Sequence, residues 1–206
     1  MSVKLIAVDM DGTFLSDEKT YHRERFLEQY ARMKAQGIRF VVASGNQYYQ
    51  LISFFPEIAH EIAFVAENGG WVVNAGEDVF NGELTQAQFN TVARFLCALP
   101  GVEVIACGKS SAYTLKAYDD ALKIMAAKYY HRLEMVESFE NINDIFFKFA
   151  LNLHGKFASR GNSKAKGGAC TAKFVFVAKQ GRSQCNAEGD GLTGACLRGN
   201  QRVFAI

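Results

Sequence analysis

A short apolar segment near the N-terminus leads directly into two aspartates. Residues 3–8 (Val-Lys-Leu-Ile-Ala-Val) predict a β-strand that we expect to be buried, and Asp9, Asp11 and Gly12 follow at its end. Buried carboxylates are unfavourable unless they are paired, hydrogen-bonded or bound to a metal. Two carboxylates beside a glycine that lets the backbone approach a ligand therefore indicate a chemically active site. An ordinary turn with a solvated pair of acids is the alternative.

The composition is that of a globular protein. The chain has 206 residues, of which 49% are apolar, enough for one or two domains with a core. We expect neither a membrane span nor a signal peptide, because no apolar run approaches about 18 residues and the N-terminal run lacks a cleavage site. Five scattered cysteines without a CxxC pair predict reduced thiols in a cytoplasmic protein.

The first part of the chain alternates between strand-like and helix-like segments. This alternation predicts an α/β core with a parallel sheet and crossover helices. In the first crossover, Phe26, Tyr30 and Met33 fall on one helical face, and Gly37 is the expected C-terminal stop. The predicted strands are residues 3–8, 38–43 and 62–66, and a hairpin over 71–80 turns at Ala75-Gly76. We interpret residues 1–82 as the N-terminal part of this core.

The pattern changes to α+β after residue 82. Thr85 and Gln88 predict a capping box at the start of a helix. Two strands, over 102–106 and 145–151, and a helix over 119–130 follow. Residues 83–153 are therefore predicted to form a second domain.

Three predicted strands end in polar turns that contain glycine. The turns are Asp9–Thr13, Ser44–Asn46 and Asn68–Gly70. Ligands bind beyond the carboxyl ends of the strands in an open parallel sheet, so we expect the three turns to meet at one site. Taken alone, Ser44–Asn46 is also compatible with a helix N-cap, and Asn68–Gly70 with a simple turn.

These turns resemble motifs of the haloacid-dehalogenase superfamily of phosphotransferases, and within it of the Cof-type sugar phosphatases. The resemblance runs to about Leu153. It implies a HAD-like Rossmannoid core with a parallel sheet, an inserted α+β cap over 83–153, and a core that is incomplete at the C-terminus. The matching motifs are Asp9-Met10-Asp11-Gly12-Thr13, Ala43-Ser44-Gly45-Asn46-Gln47 and Ala66-Glu67-Asn68-Gly69-Gly70.

The resemblance implies a two-step phosphoryl transfer with two catalytic acids. Asp9 would attack phosphorus and form an aspartyl-phosphate. Asp11 would protonate the leaving group and then accept a proton from the hydrolytic water. Mg²⁺ would bind the Asp9 carboxylate and the Asp11 main-chain carbonyl, because this hard ion prefers oxygen ligands.

The resemblance also implies a set of binding residues. Ser44 and the amides of Gly45 and Asn46 would hold the phosphoryl oxygens. Asn68 and the cap would select the substrate, a small phosphorylated metabolite and typically a sugar phosphate.

Residues 154–206 differ from the rest of the chain. They contain 9 basic and 2 acidic residues, whereas residues 1–153 contain 14 basic and 19 acidic ones. Within this segment, only residues 174–177 have the apolar pattern that predicts a strand. Members of the family have a lysine and a Gly-Asp turn followed by Asn-Asp after the cap, but here Glu188-Gly189-Asp190-Gly191 is followed by Thr193 and Gly194. Our hypothesis is an atypical basic tail that arises from a frameshift, with an exposed edge on the first strand because neighbouring strands are missing.

These observations favour a phosphatase lineage whose activity is impaired in this chain. The alternative is a remnant that binds a phospholigand without hydrolysing it. Non-specific contact of the basic tail with nucleic acid is a third hypothesis. We expect no specific nucleic-acid partner and no membrane partner, and the sequence does not indicate an oligomeric state.

Overall fold

A computed structural model of the chain describes residues 3–153 and the backbone of residues 174–177. Its first sheet has the strand order β1-β2-β3-β4-β5, in which β1, β2 and β3 are parallel and β3, β4 and β5 are antiparallel. The strands are β1 (Leu5–Val8), β2 (Arg39–Ala43), β3 (Ala63–Ala66), β4 (Trp71–Asn74) and β5 (Glu77–Asn81), with helices α1 (Arg23–Ala35) and α2 (Tyr48–Ser53) between them. The predicted α/β fold with a parallel sheet and the predicted hairpin are confirmed.

Helix α1 covers one face of this sheet with an apolar stripe. Phe26 and Tyr30 are one turn apart and buried, and they belong to a core that also contains Phe40, Phe55 and Phe64. The helix ends at Ala35, and Gly37 then turns the chain into β2 with a left-handed φ of 68°. This is the termination that the sequence predicts.

Strand β1 lies at the edge of the described sheet. It pairs with β2 alone among the described strands, and Leu5 is 49% exposed. The expectation that this strand is buried is therefore wrong, because an edge strand has a neighbouring strand on only one side. The exposed edge predicted from the tail is present in the described part of the sheet, and burial begins at Met10, which is fully buried.

The second sheet is mostly antiparallel and has the strand order β10-β9-β6-β7-β8. Its strands are β6 (Val102–Gly108), β7 (Ala112–Leu115), β8 (Leu133–Val136), β9 (Phe146–Leu153) and β10 (Phe174–Val177), and its helices are α3 (Gln86–Cys97) and α4 (Asp120–Ala127). The sequence did not predict β7 and β8, which are only four residues long and pair with each other in parallel. Helix α4 ends three residues before the predicted end, and β10 confirms the strand predicted at 174–177.

The core of the second sheet is aromatic. Phe89 of α3 stacks on Phe146 and Phe149 of β9, with ring centroids 3.7 and 5.3 Å apart. Phe147 points to the other side and stacks on Trp71 of the first sheet at 5.7 Å. The first sheet ends at Asn81 and α3 begins at Gln86, on either side of the predicted domain boundary, which remains a prediction.

Among the described helices, none is long and apolar enough to cross a membrane.

Candidate active site

The three polar turns lie side by side at the carboxyl ends of β1, β2 and β3. The side-chain amide of Asn46 donates to Asp11 Oδ2 at 3.0 Å, which joins the second turn to the first. The amide of Asn68 donates to the Ser44 carbonyl at 3.2 Å, which joins the third turn to the second. The structure therefore brings the turns together as the sequence predicts.

The first turn is a tight loop that follows β1. The amides of Phe14 and Leu15 donate to the Met10 carbonyl at 3.1 and 2.9 Å, and Gly12 takes a left-handed φ of 71°. Asp9 is half-buried at the start of the loop, and its carbonyl accepts from Phe14 at 3.1 Å. This folding leaves both aspartates at one end of the sheet.

The side chains of Lys19 and Asn46 both contact Asp11. Lys19 Nζ lies 2.6 Å from Asp11 Oδ1, and the Asn46 amide binds the other carboxylate oxygen. The hydrogen bond to Asp11 raises the pKa of Lys19 and keeps this ammonium charged. Because the side chains of Lys19 and Asp11 are 51% and 38% exposed, water screens the ion pair and its stabilisation is small.

The second turn does not cap helix α2. The helix begins at Tyr48, its N-cap is Gln47, and no side-chain capping bond is present, so the N-cap interpretation of Ser44–Asn46 is wrong. Instead, the amide of Asn46 donates to Ser44 Oγ at 3.2 Å. The Ser44 hydroxyl therefore uses a lone pair as acceptor and keeps its own O–H as a donor.

Gly45 is required by the close approach of the third turn. A Cβ at this position would lie 2.4 Å from Asn68 Oδ1, much closer than real Cβ contacts. Glu67 and Asn68 both take left-handed φ angles, of 54° and 58°, which turn the chain sharply after β3. The exposed Asn68 side chain is thereby placed directly against Gly45.

A buried ion pair lies beneath these turns. Lys148 Nζ of β9 and Glu67 Oε2 are 2.8 Å apart, and the two side chains are only 2% and 1% exposed. The geometry is that of an ion pair rather than an aligned hydrogen bond. Burial is the largest influence on the pKa of Lys148 and acts to lower it, but the interactions with Glu67 and Cys107 together outweigh burial and hold that pKa above its ordinary value. Burial raises the pKa of Glu67, against the opposing charge of Lys148, and we take the pair as ionised because the two groups are in direct contact.

Side chains of α2 and its N-cap attach the second sheet next to the site. Gln47 is buried and makes two hydrogen bonds to the backbone of Arg132, of 2.8 and 2.9 Å. The Arg132 guanidinium lies 3.6 Å from the ring centroid of Tyr49. These contacts fix the second sheet over the carboxyl ends of the first.

A cavity of about 150 Å³ lies between the turns and the second sheet. Asn46, Asn68 and Lys148 contribute polar groups to its lining. Leu122 and Met125 of α4 contribute an apolar wall. The cavity thus has a polar side next to the turns and an apolar side next to α4.

The described residues provide a limited set of metal ligands. They include no group of three or more His, Cys, Asp and Glu side chains arranged to hold a metal. Asp9 and Asp11 supply two carboxylates and adjacent carbonyls, all of them hard oxygen donors. Mg²⁺ is usually bound by one or two carboxylates together with water, so this donor set fits the ion.

Sequence reasoning missed four polar residues of the site. Gln47, Glu67 and Lys148 are buried, and Lys19 contacts Asp11. The signal for Lys148 was present, because it is the one charged residue within the otherwise apolar Phe-Phe-Lys-Phe-Ala-Leu run of β9.

The fold and the motifs match a known family. Residues 6–167 match the haloacid dehalogenase-like hydrolase family, and the chain belongs to it. Over 153 residues, 74% of this chain, it is 75% identical to the 5-amino-6-(5-phospho-D-ribitylamino)uracil phosphatase YbjI of Escherichia coli, 56% of whose length is matched. The chain therefore spans about half the length of the curated relatives that it matches.

Solved structures agree with this assignment. The crystal structure of SMU.1108c from Streptococcus mutans is 32% identical with a TM-score of 0.69, and the match covers 73% of this chain and 57% of that chain. A haloacid dehalogenase-like hydrolase from B. subtilis has a TM-score of 0.61 at 18% identity, with 75% of this chain and 63% of that chain covered. The second likeness supports the fold alone.

Proposed function

We propose that this chain has the catalytic machinery of a phosphomonoester hydrolase that acts on small phosphorylated metabolites. The observation that carries the proposal is the junction of the three turns, where Asn46 contacts Asp11 at 3.0 Å and Asn68 packs against Gly45. This junction places two carboxylates beside hydroxyl and amide groups, the combination that phosphoryl transfer requires.

In the proposed first step, a carboxylate oxygen of Asp9 attacks phosphorus. The ester P–O bond breaks, and its electron pair goes to the leaving oxygen, which takes a proton from Asp11. In the second step, water attacks the aspartyl-phosphate and gives a proton back to Asp11, which releases phosphate and restores Asp9. Lys19 and Asn46 both donate to the Asp11 carboxylate in this structure, so we propose that substrate binding loosens the contact with Lys19 before Asp11 acts as an acid.

Ser44 and the neighbouring turn are proposed to hold the phosphoryl group. The Ser44 O–H is the donor best placed for this role, because its oxygen already accepts from the Asn46 amide. The amide of Gly45 would donate beside it. Mg²⁺ would be held by the Asp9 carboxylate and the Asp11 carbonyl, where it would offset the negative charge of the carboxylate and the phosphate.

The cavity supports a substrate with a polar part and an apolar or flat part. The name of the E. coli relative gives a phosphorylated ribityl group attached to an aminouracil. We propose a sugar phosphate or a similar phosphorylated polyol, with the hydroxyls near Asn68 and any ring against Met125, both of which line the cavity. The phosphate would lie at Ser44 in the adjoining turn, outside the cavity lining. The free thiols Cys97 and Cys107 among the described residues suit a cytoplasmic enzyme.

Hydrolysis of p-nitrophenyl phosphate by the full chain, with and without Mg²⁺, tests the proposal. The Asp9→Asn variant is the matched control, because it keeps the size of the side chain and removes the nucleophile. Mg²⁺-dependent hydrolysis that disappears in the variant supports the proposal, whereas equal rates for both proteins contradict it.

A phospholigand-binding remnant is the second candidate function. The departure from the family pattern in residues 154–206 favours it, because Thr193 and Gly194 replace the expected Asn and Asp. Those residues lie outside the described part of the chain. Phosphate binding at Ser44 without hydrolysis by a folded chain would select this function over catalysis.

A further inference from the structure

We propose that Lys148 is a positioning residue that orients the phosphate-binding turn from the second domain. The proposal rests on the proposed function, because it assigns a role within the same site. The Lys148 ammonium is in contact with Glu67 of the third turn and also donates to the Gly45 carbonyl of the second. One side chain of β9 thus holds two of the three turns.

Burial of this pair is difficult to explain by stability. Transfer of two charges from water into the interior is unfavourable for each ion, and a pair of well-packed apolar side chains would often be as stable. The other ion pairs among the described residues have at least one partner whose side chain is 29% or more exposed. A fully buried pair at the base of the site therefore points to a requirement for geometry.

The effect of Lys148 on the turn follows from the peptide that joins Gly45 to Asn46. This peptide is planar and trans, so its C=O and N–H point in opposite directions. Because Lys148 holds the C=O, the N–H is turned away from β9, where it donates to Ser44 Oγ at 3.2 Å. This bond fixes the rotamer of Ser44 and directs the remaining O–H of that side chain.

The same peptide positions the side chain of Asn46. Its amide group donates to Asp11 Oδ2 at 3.0 Å, so a rotation of the peptide would also displace the contact with the proposed acid. The main-chain carbonyl of Asn46 accepts from the Glu67 amide at 3.2 Å, which closes the connection back to the ion pair. Lys148 therefore acts on Ser44 and Asp11 through the second turn.

A double variant separates positioning from stability. Lys148→Met with Glu67→Gln removes both charges and leaves no unpaired ion in the interior. The matched control is Lys116→Met with Glu137→Gln. This variant removes an ion pair in which Lys116 Nζ lies 2.8 Å from Glu137 Oε1 and whose side chains are 55% and 82% exposed. Circular dichroism and thermal melting establish that each protein folds.

Two measurements on the full chain give the result. We expect hydrogen exchange of the Asn46 amide to become about tenfold faster in the Lys148/Glu67 variant, and inorganic phosphate to bind about tenfold more weakly by calorimetry with Mg²⁺. The control should change neither. A folded Lys148/Glu67 variant with wild-type exchange at Asn46 and wild-type phosphate affinity would overturn the proposal.

The unmodified chain provides a test that does not depend on the folding of variants. Nitrogen-15 spectra should contain a slowly exchanging Lys148 ammonium signal, and exchange at the rate of a solvated lysine would also overturn the proposal. If the wild-type chain binds no phosphate, the proposed function fails, while exchange at Asn46 still decides whether Lys148 positions the turn.

Discussion

The substitution Gly45→Ala tests how closely the second and third turns approach. A Cβ at position 45 would lie 2.4 Å from Asn68 Oδ1 and 3.2 Å from its Cγ. Since real Cβ contacts essentially never fall below 3.0 Å, the Asn68 side chain must move by more than half an ångström. Its backbone cannot follow easily, because the Asn68 amide is bonded to the Ser44 carbonyl at 3.2 Å. Overpacking of a core costs about 1–3 kcal/mol, and we expect a cost at or below the lower end of this range because the clashing atom is the end of an exposed side chain.

Urea unfolding and calorimetry with inorganic phosphate measure the two consequences. We expect a loss of about 1 kcal/mol or less in the free energy of unfolding and about tenfold weaker phosphate binding, because the Asn68 side chain is displaced from the second turn. Gly37→Ala is the control. No atom lies within 4 Å of a Cβ built at position 37, but the Gly37 φ of 68° imposes backbone strain on any other residue. It should lose about 1–2 kcal/mol of stability and keep its phosphate affinity. Wild-type stability and affinity in Gly45→Ala would refute the reasoning.

Three further substitutions test the packing, the attachment of the second sheet and the pH dependence. Phe147→Ala removes a fully buried ring that stacks on Trp71, and urea unfolding should show a loss of about 3–5 kcal/mol, whereas a loss below 1 kcal/mol would contradict the packing. Gln47→Leu removes both hydrogen bonds to Arg132 and should speed hydrogen exchange of the Arg132 amide by at least about tenfold, whereas unchanged exchange would contradict the contact. Burial raises the pKa of Tyr30 from 10.0 to about 12, so its stabilising contribution is complete below pH 10 and is lost as the pH rises to 12. Tyr30→Phe should therefore lose less stability than the wild-type chain over that interval, and an equal loss would contradict this assignment.

The elements that the sequence predicts correctly are those with strong local signals. Phe26 and Tyr30 at helical spacing, the Thr85–Gln88 capping box and the Ala75-Gly76 turn all occur as expected. Strands β7 and β8 were missed because four residues are too few to show the alternating pattern of a strand. Their pairing also depends on residues about twenty positions apart. The burial of β1 was predicted wrongly because apolar composition does not reveal whether a strand lies at an edge.

For the site, sequence motifs predict which turns meet but not how they are held. The sequence predicts that Asp11, Asn46 and Asn68 lie close together, because parallel strands end at the same edge of a sheet. The sequence shows that Lys148 is a lone charge within an apolar run, but it does not show its partners. The role of Lys148 could not be predicted because it depends on a contact with Gly45, 103 residues away along the chain. The roles assigned to Asp9 and Ser44 remain predictions.

The central claim is that the three turns form one phosphate-binding site. Titration of the nitrogen-15-labelled full chain with inorganic phosphate in the presence of Mg²⁺ tests it most directly. We expect the amide signals of Asp11, Gly45, Asn46 and Asn68 to shift together with a single dissociation constant. Shifts confined to residues 154–206, or separate dissociation constants for the three turns, would contradict the claim.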